Sequence, residues 1–312
     1  MSVWFNRQCL VRQSQAQATH VQPMNFDSVA WTARAEPLLD TLVLQRAAHR
    51  YGLSLHWDRI LARMTFNPGR RRRISHLVSQ SIVIPTYNEC ENIGPLVHGI
   101  LGLGLDAQVI IVDDNSPDGT GRLADGLSAQ NASVFVVHRP GKLGLGTAHI
   151  AGMKAALAGD AGQIVTMDAD FSHHPRYLPD LLAALDQFDM VIGSRYVSGG
   201  DTLNCTLPRK ALSRGANLFA RTVLSLEVED ATAGFRGYRR AVLESIPLDD
   251  IVSDGYSFLV EMLYHCQRNG WNIGEVAIVF ENRQRGSSKI SKTEILKAMQ
   301  TVGRLGWERL RS

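Results

Sequence analysis

The tripeptide Asp168-Ala169-Asp170 follows the apolar run QIVTM. Carboxylates at i and i+2 on extended chain point to the same side, so Asp168 and Asp170 can share one divalent ion. Oxygen ligands suit Mg2+ or Mn2+, and an ion held by only two carboxylates keeps positions open for substrate phosphates. The bland alternative is a solvated loop or a helix cap; position after a buried strand favours the metal. A second acidic stretch, Val112-Asp113-Asp114-Asn115-Ser116-Pro117-Asp118-Gly119-Thr120, closes another apolar run. Its Pro-Asp-Gly portion predicts a turn into a capped helix, which accounts for Asp118. The adjacent carboxylates of Asp113 and Asp114 repel each other and call for donors such as a ribose, a base edge or an Arg. A nucleoside would supply them.

Arg195 follows the run MVIGS, Arg209 and Arg214 flank Ser213, and Arg283 and Lys289 lie in FENRQRGSSK. Guanidinium groups bind phosphate bidentately, so these residues suit a site that handles a pyrophosphate and a further phosphate; the alternative is an ordinary basic surface. The Gly-Ser-Ser stretch predicts a loop able to close over a ligand. Other chemistries fall away. GKLGLGT lacks the Walker spacing, and His149 stands where a dinucleotide fingerprint needs its third Gly. His173-His174 has no third His or Cys at ligand spacing, against zinc, and no G-x-S-x-G elbow is present for a serine hydrolase.

The elements that must position these residues begin at residue 80. Short β-branched runs (Ser81–Ile84, Val109–Asp113, Ser133–His138, Gln163–Asp168 and Met190–Ser194) alternate with segments of helical length, including a helix over Ala148–Ala158. This pattern predicts an α/β fold, a mostly parallel sheet covered by helices, with its site at the carboxyl ends of the strands. Residues 85–89, 113–118 and 168–172 would then converge on one cleft. At 45% hydrophobic and 20% charged the chain has the composition of a folded globular body. A net charge of +3 with no recognition motif predicts no nucleic-acid partner. Four scattered cysteines without a C-x-x-C pair point to a reducing compartment.

No apolar stretch approaches the roughly 18–20 residues of a membrane span, and the first twenty residues lack an apolar signal core. The expectation is a cytoplasmic chain, in contact with a membrane only at its surface. Residues 1–79 form an N-terminal extension, partly disordered or helical and without assigned chemistry; Met24 and Met64 within it raise the question of a later translation start. Residues 80–290 form the α/β domain. Residues 291–312 predict a C-terminal amphipathic helix, with Ile295, Met299, Val302 and Leu310 at near-helical spacing among Lys297, Arg304, Trp307 and Arg309. That helix either lies in a membrane interface, helped by the Arg70–Arg73 block, or packs on the domain.

Taken in order, IPTYNECENI, VDDNSPDGT, GKLGLGTAHIAGM, DADFSHHP, GSRY, RKALSRGAN, TAGFRGYRR, DGYSFLVEM and GEVAIVF followed by RGSSK resemble the polyprenyl (dolichyl) phosphate mannosyltransferases of glycosyltransferase family 2. The resemblance covers about residues 80–290 and implies a GT-A nucleotide-sugar-binding fold with GDP-mannose as donor. It implies that Pro85, Tyr87, Glu89, Val112 and Asp114 contact the nucleoside and that Asp168, Ala169 and Asp170 meet the metal and pyrophosphate. Arg195, Arg283 and Lys289 would meet donor or acceptor phosphates, and Arg209 and Ser213 the lipid phosphate, with Asp170 and Arg195 closest to the chemistry. Ser172 stands where some relatives carry a Gln that completes the metal shell. The implied reaction is inverting transfer of mannose to a polyprenyl phosphate, with Mg2+ or Mn2+ and, in some relatives, a small membrane subunit. A sister transferase using UDP-glucose and a non-catalytic binding subunit are the competing readings.

Overall fold

The computed structural model describes residues 80–253, 255–282 and 292–311. Strand β1 (Gln80–Thr86) leads through α1 (Cys90–Leu101) to β2 (Ala107–Asp113), α2 (Thr120–Gln130), β3 (Val134–His138), α3 (Leu145–Ala158) and β4 (Gln163–Thr166). After a short turn come α4 (Leu178–Ala184), β5 (Met190–Ser194), β6 (Asp201–Leu203) and α5 (Leu207–Leu224). The chain continues through β7 (Arg236–Arg239), α6 (Arg240–Glu244), α7 (Tyr256–Arg268), β8 (Ile273–Ala277), β9 (Val279–Glu281) and α8 (Lys292–Arg311). Seven strands form a sheet in the order β3-β2-β1-β4-β7-β5-β8, and β6 pairs with β9 in a separate ribbon. All neighbours in the large sheet are parallel except β7, which runs antiparallel to both β4 and β5.

Strand periodicity assigns the two cores. On β1 and β2, Val83, Ile110 and Val112 face one side, where α3 and α7 bring Met153, Phe258 and Leu263. Ile82, Ile84, Val109 and Ile111 face the other, where α1 and α4 bring Ile93, Leu96 and Leu181. Burial on both faces explains why the strands read as continuous apolar runs. Helix α3 approaches the sheet closely because it carries Gly152, where a Cβ would stand 2.2 Å from Val83 Cγ1 and 2.9 Å from Val112 Cγ2.

Two expectations need correction. Strand β4 ends at Thr166, two residues short of the expected Asp168, so the acidic pair lies beyond the strand with a bend starting at Ala169; Phe171 turns it with φ 60°. In α8, the expected set at 299, 302 and 310 has helical spacing but is split by environment. Val302 and Leu305 are buried against the body, whereas Leu296, Met299, Trp307 and Leu310 are exposed. Helix α8 packs on α7 and α5, and Arg304 donates to the buried Glu261 carboxylate at 2.5 Å. The packed reading therefore holds for one side of the helix, and an adjoining stripe remains apolar and exposed.

Gly152→Ala tests the close approach of α3. At this close an approach overpacking should cost roughly 2–3 kcal/mol, offset by about 1 kcal/mol of helix propensity, for a net loss of about 1–2 kcal/mol in urea unfolding. Unchanged stability would show that α3 can lift from the sheet.

Candidate active site

A cavity of about 700 Å3 opens beside the carboxyl ends of β4 and β5. Asp168 and Asp170 line it together with Arg195, Arg209 and Ser213, so five of the expected residues meet in one place. The bend that follows β4 is held locally. The Ser172 N–H donates to Asp170 Oδ1 at 3.0 Å, and Asp170 is only 6% exposed. The Asp168 N–H donates to His173 Nδ1 at 3.4 Å, which leaves the ring proton on Nε2. His173 is stacked on Phe235 and fully enclosed; burial pushes its pKa down to about 4 and keeps it neutral.

Arg195 extends from the end of β5. Its Nε and Nη2 donate to the two Asp230 oxygens at 2.7 Å each, Nη2 also reaches Thr232, and its own N–H meets Asp230 Oδ2 at 3.1 Å. Burial alone would raise the Asp230 carboxyl, but the Arg195 bonds outweigh it and hold the pKa below the ordinary value. Ser213 Oγ shares a hydrogen bond with Tyr196 Oη at 2.9 Å. Arg209 and Lys210 line the same cavity and form no ion pair among the described residues. Leu212 and Phe219 of α5 and Met299 of α8 complete it with apolar surface, and all three are also exposed, so this end opens outward.

A second group gathers at the ends of β1 and β2. Asp114 pairs with Arg139 at 2.7 Å and accepts the Leu143 N–H at 3.2 Å. Burial nevertheless pushes its carboxyl above the ordinary range, with Arg139 pulling it back in part. Asp113 accepts from Ser116 Oγ at 2.5 Å and from the Ser116 N–H at 3.2 Å. The donors required by these adjacent acids are therefore supplied by the protein, and a nucleoside is not needed to explain them. Asp118 accepts from the Thr120 and Cys90 N–H groups and so holds the turn, as its sequence context predicts. Lys142 Nζ lies 4.4 Å from the Tyr87 ring centroid, and Glu89 Oε2 accepts from Asn92. Pro85 and Val112 are paired in register and buried; Val112 has its side chain in the core.

The chain matches the profile of glycosyl transferase family 2 over residues 81–246. It is 45% identical to the undecaprenyl-phosphate mannosyltransferase of Micrococcus luteus over 74% of this chain and 96% of that one. It is 43% identical to the polyprenol monophosphomannose synthase of Mycolicibacterium smegmatis, over 72% and 86%. The chain belongs to glycosyltransferase family 2. Among solved structures, glucosyl-3-phosphoglycerate synthase from Mycobacterium tuberculosis, in complex with Mn2+, UDP and glucosyl-3-phosphoglycerate, superposes with a TM-score of 0.52. That match covers 72% of this chain and 80% of the other at 21% identity, and it supports the GT-A fold.

Within this glycosyltransferase the expected residues divide three ways. Asp168, Asp170, Arg195, Arg209 and Ser213 share the cavity. Pro85, Tyr87, Glu89, Val112 and Asp114 cluster at the neighbouring strand ends, and Ala169 is buried between the acids. Arg283 and Lys289 lie outside the described residues. Sequence reasoning missed Arg139 and Asp230, and it weighed His173 only as a zinc ligand. Arg139 is the middle residue of HRP with no motif around it, and Asp230 lies 35 residues from the arginine that it holds. Only a spatial pairing reveals either.

The lowered Asp230 pKa makes a pH prediction. A depressed carboxylate contributes stability that is present above the unfolded pKa near 3.8 and lost as pH falls through the lower folded value. Asp230→Asn should flatten this acid limb of the stability–pH curve in thermal melts and lower stability at pH 7; an unchanged limb would show that Asp230 is not ionised in the folded chain.

Proposed function

We propose that the chain transfers mannose from GDP-mannose to a polyprenyl phosphate, with inversion at the anomeric carbon, at a membrane surface. One observation carries this reading: a single cavity has two carboxylates at one end, the cations Arg209 and Lys210 along its wall, and an apolar opening between α5 and α8. A phosphorylated lipid offers charge and hydrocarbon in that combination. The mannosyltransferase names of the relatives at 43–45% identity support mannose over glucose as the sugar.

Asp168 and Asp170 are the residues that would hold Mg2+ or Mn2+. No cluster of three His, Cys, Asp or Glu side chains occurs among the described residues, but the buried Ser172 Oγ has no partner there and lines the same cavity. An all-oxygen set of this kind fits a hard divalent ion. When bound, such an ion supplies positive charge for the diphosphate leaving group.

The remaining roles belong to side chains. Tyr87, Glu89 and Asp114 receive the nucleoside, with Pro85 and Val112 shaping the strand ends below it. Arg139 keeps the Asp114 carboxylate oriented. Arg209, with Ser213 beside it, binds the acceptor phosphate, and Arg195, made rigid by Asp230, faces the phosphates of the reacting pair. Arg283 and Lys289 are assigned to the phosphates on the resemblance alone. An acceptor phosphate oxygen forms the new bond to the anomeric carbon as the bond to GDP breaks. A phosphate monoester is largely ionised at neutral pH, so no general base is required. Rate then comes from alignment and from charge stabilisation.

No helix among the described residues is long and apolar enough to cross a membrane. The exposed Leu296, Met299, Trp307 and Leu310 follow the spacing of one helical face on α8, with Arg304 and Arg311 beside it. This stripe lies in the interface at the cytoplasmic face of the membrane.

The primary test is transfer of radiolabelled sugar from GDP-mannose to a short polyprenyl phosphate with Mg2+ or Mn2+. Asp170→Ala and removal of metal with EDTA should each lower kcat by roughly 100-fold or more. Arg209→Ala should raise the acceptor KM about ten-fold and leave the donor KM unchanged. Product from UDP-glucose alone would assign the sister activity; GDP binding with no product from either donor would favour a binding subunit or a missing membrane partner. In liposome flotation with anionic lipid, the intact chain should float, and Met299→Asp with Leu310→Asp should leave it in the soluble fraction. Failure of the intact chain to float would remove the peripheral-helix part of the proposal.

A further inference from the structure

Among the described residues, His149 is a strongly buried imidazole that the proposed chemistry leaves unused. It lies on the inner side of α3, 1% exposed, with its ring stacked on Phe258 at 5.5 Å and 8°. Neither Nδ1 nor Nε2 has a hydrogen-bond partner among the described residues. Native interiors satisfy nearly all such atoms, so a ring with both nitrogens unmet needs an explanation. The surroundings offer one, because His149 lines the same cavity as Asp168, Asp170 and Arg195. Helix α3 and α7 meet closely here: a Cβ on Gly146 would stand 2.9 Å from Phe258 Cβ and 3.0 Å from the Ser253 carbonyl oxygen. The stacked ring therefore has little room to swing away, and its edge is fixed relative to the cavity.

The ring's charge state selects the ligand. Burial, reinforced by the nearby Arg236 and His173, pushes the His149 pKa down to about 3, so the imidazole is neutral at working pH. A neutral imidazole has one donor and one acceptor. Phosphate oxygens only accept, and their charge is better matched by arginine. A hydroxyl both donates and accepts, and it carries no charge into an enclosed site.

We propose that His149 is a sugar-binding residue that hydrogen-bonds a hydroxyl of the hexose being transferred. The proposal rests on the glycosyl-transfer reading above and assigns part of its donor selectivity to α3.

The test compares GDP with GDP-mannose on the full chain, because only the second carries the hexose hydroxyls. His149→Phe preserves an aromatic ring against Phe258 and removes both nitrogens. Its affinity for GDP should stay within about two-fold of the wild type, and its affinity for GDP-mannose should fall about ten-fold. The donor KM should rise and the acceptor KM should not. His149→Gln, which restores a donor and an acceptor, should recover part of the loss. Equal weakening of GDP and GDP-mannose would overturn the proposal by moving the nitrogens to the nucleotide. Unchanged GDP-mannose affinity in a variant that melts like the wild type would overturn it by making His149 a packing residue.

If His149→Phe does not fold, GDP-mannose analogues lacking single sugar hydroxyls decide the matter with wild type and His149→Leu. One hydroxyl must couple to residue 149, and no coupling at any hydroxyl refutes the proposal. Wild-type turnover of UDP-glucose in place of GDP-mannose would overturn the mannosyl reading alone, and the His149 comparison would then be made with UDP and UDP-glucose under the same expectations.

Discussion

The loop spanning residues 229–233 is the joint on which the site depends. Arg195 grips Asp230 from the end of β5, while Glu275 of β8 accepts the Glu229 and Asp230 N–H groups at 2.6 and 2.9 Å. Asn217 of α5 bonds both the Glu229 carbonyl and the Ala231 N–H. From the far side, the wholly buried Arg236 donates to the carbonyls of Ala231, Ala233 and Leu259. Four elements are thus fastened to five residues. A buried charge is tolerable only when it is fully bonded, and Asp230 and Arg236 meet that condition through this loop.

This joint follows from the antiparallel insertion of β7. The chain enters the sheet between β4 and β5 in the reverse direction, so the segment that precedes β7 crosses the carboxyl ends of its two neighbours. The same crossing separates the sheet's two working edges. Asp168 and Asp170 follow β4, Arg195 follows β5, and the cavity lies where those ends diverge. Arg195 is consequently a cation of fixed direction with its charge partly offset by Asp230, whereas Arg209 and Lys210 on α5 carry theirs without an ion pair among the described residues. An anion entering from the α5 side meets the less compensated charge first, which suits the acceptor phosphate on the proposed reading.

Much of the frame was legible because strand and helix periods are local properties. The runs at β1, β2, β3 and β5 agree with the observed strands to within two residues at each end, and the helix expected over 148–158 begins three residues earlier. The acidic pair was visible because both residues adjoin one strand. The antiparallel β7 was not: RGYR has neither alternation nor an apolar run, and it is a strand because its neighbours pair with it on both sides. Arg236 reads as surface in a basic tetrapeptide, yet it is buried because three carbonyls surround it. The adjacent acids at 113 and 114 call for donors, and Arg was one of the donor types expected; which Arg it is could not be read, since Arg139 lies 25 residues from Asp114, whereas Ser116 sits in the same motif as Asp113. Charge pairing between remote residues has no period, so it enters only with the fold.

The amphipathic helices show why burial and exposure had to be separated residue by residue. Val302 and Leu305 anchor α8 to the body, so the helix cannot turn its whole apolar surface outward without opening the core. What it keeps exposed is the other stripe, and Met299 belongs both to that stripe and to the cavity lining. Leu212 and Phe219 do the same from α5. Apolar cavity wall therefore continues into exposed apolar surface on two helices, one of them anchored through Arg304 to the buried Glu261. A prenyl chain leaving bulk lipid for water would lose about 0.8 kcal/mol per CH2 group, a cost that rules out long excursions. On the proposed reading, the continuous apolar surface lets the phosphate reach Arg209 while the hydrocarbon stays covered. On that reading the described helices need only rest against the membrane.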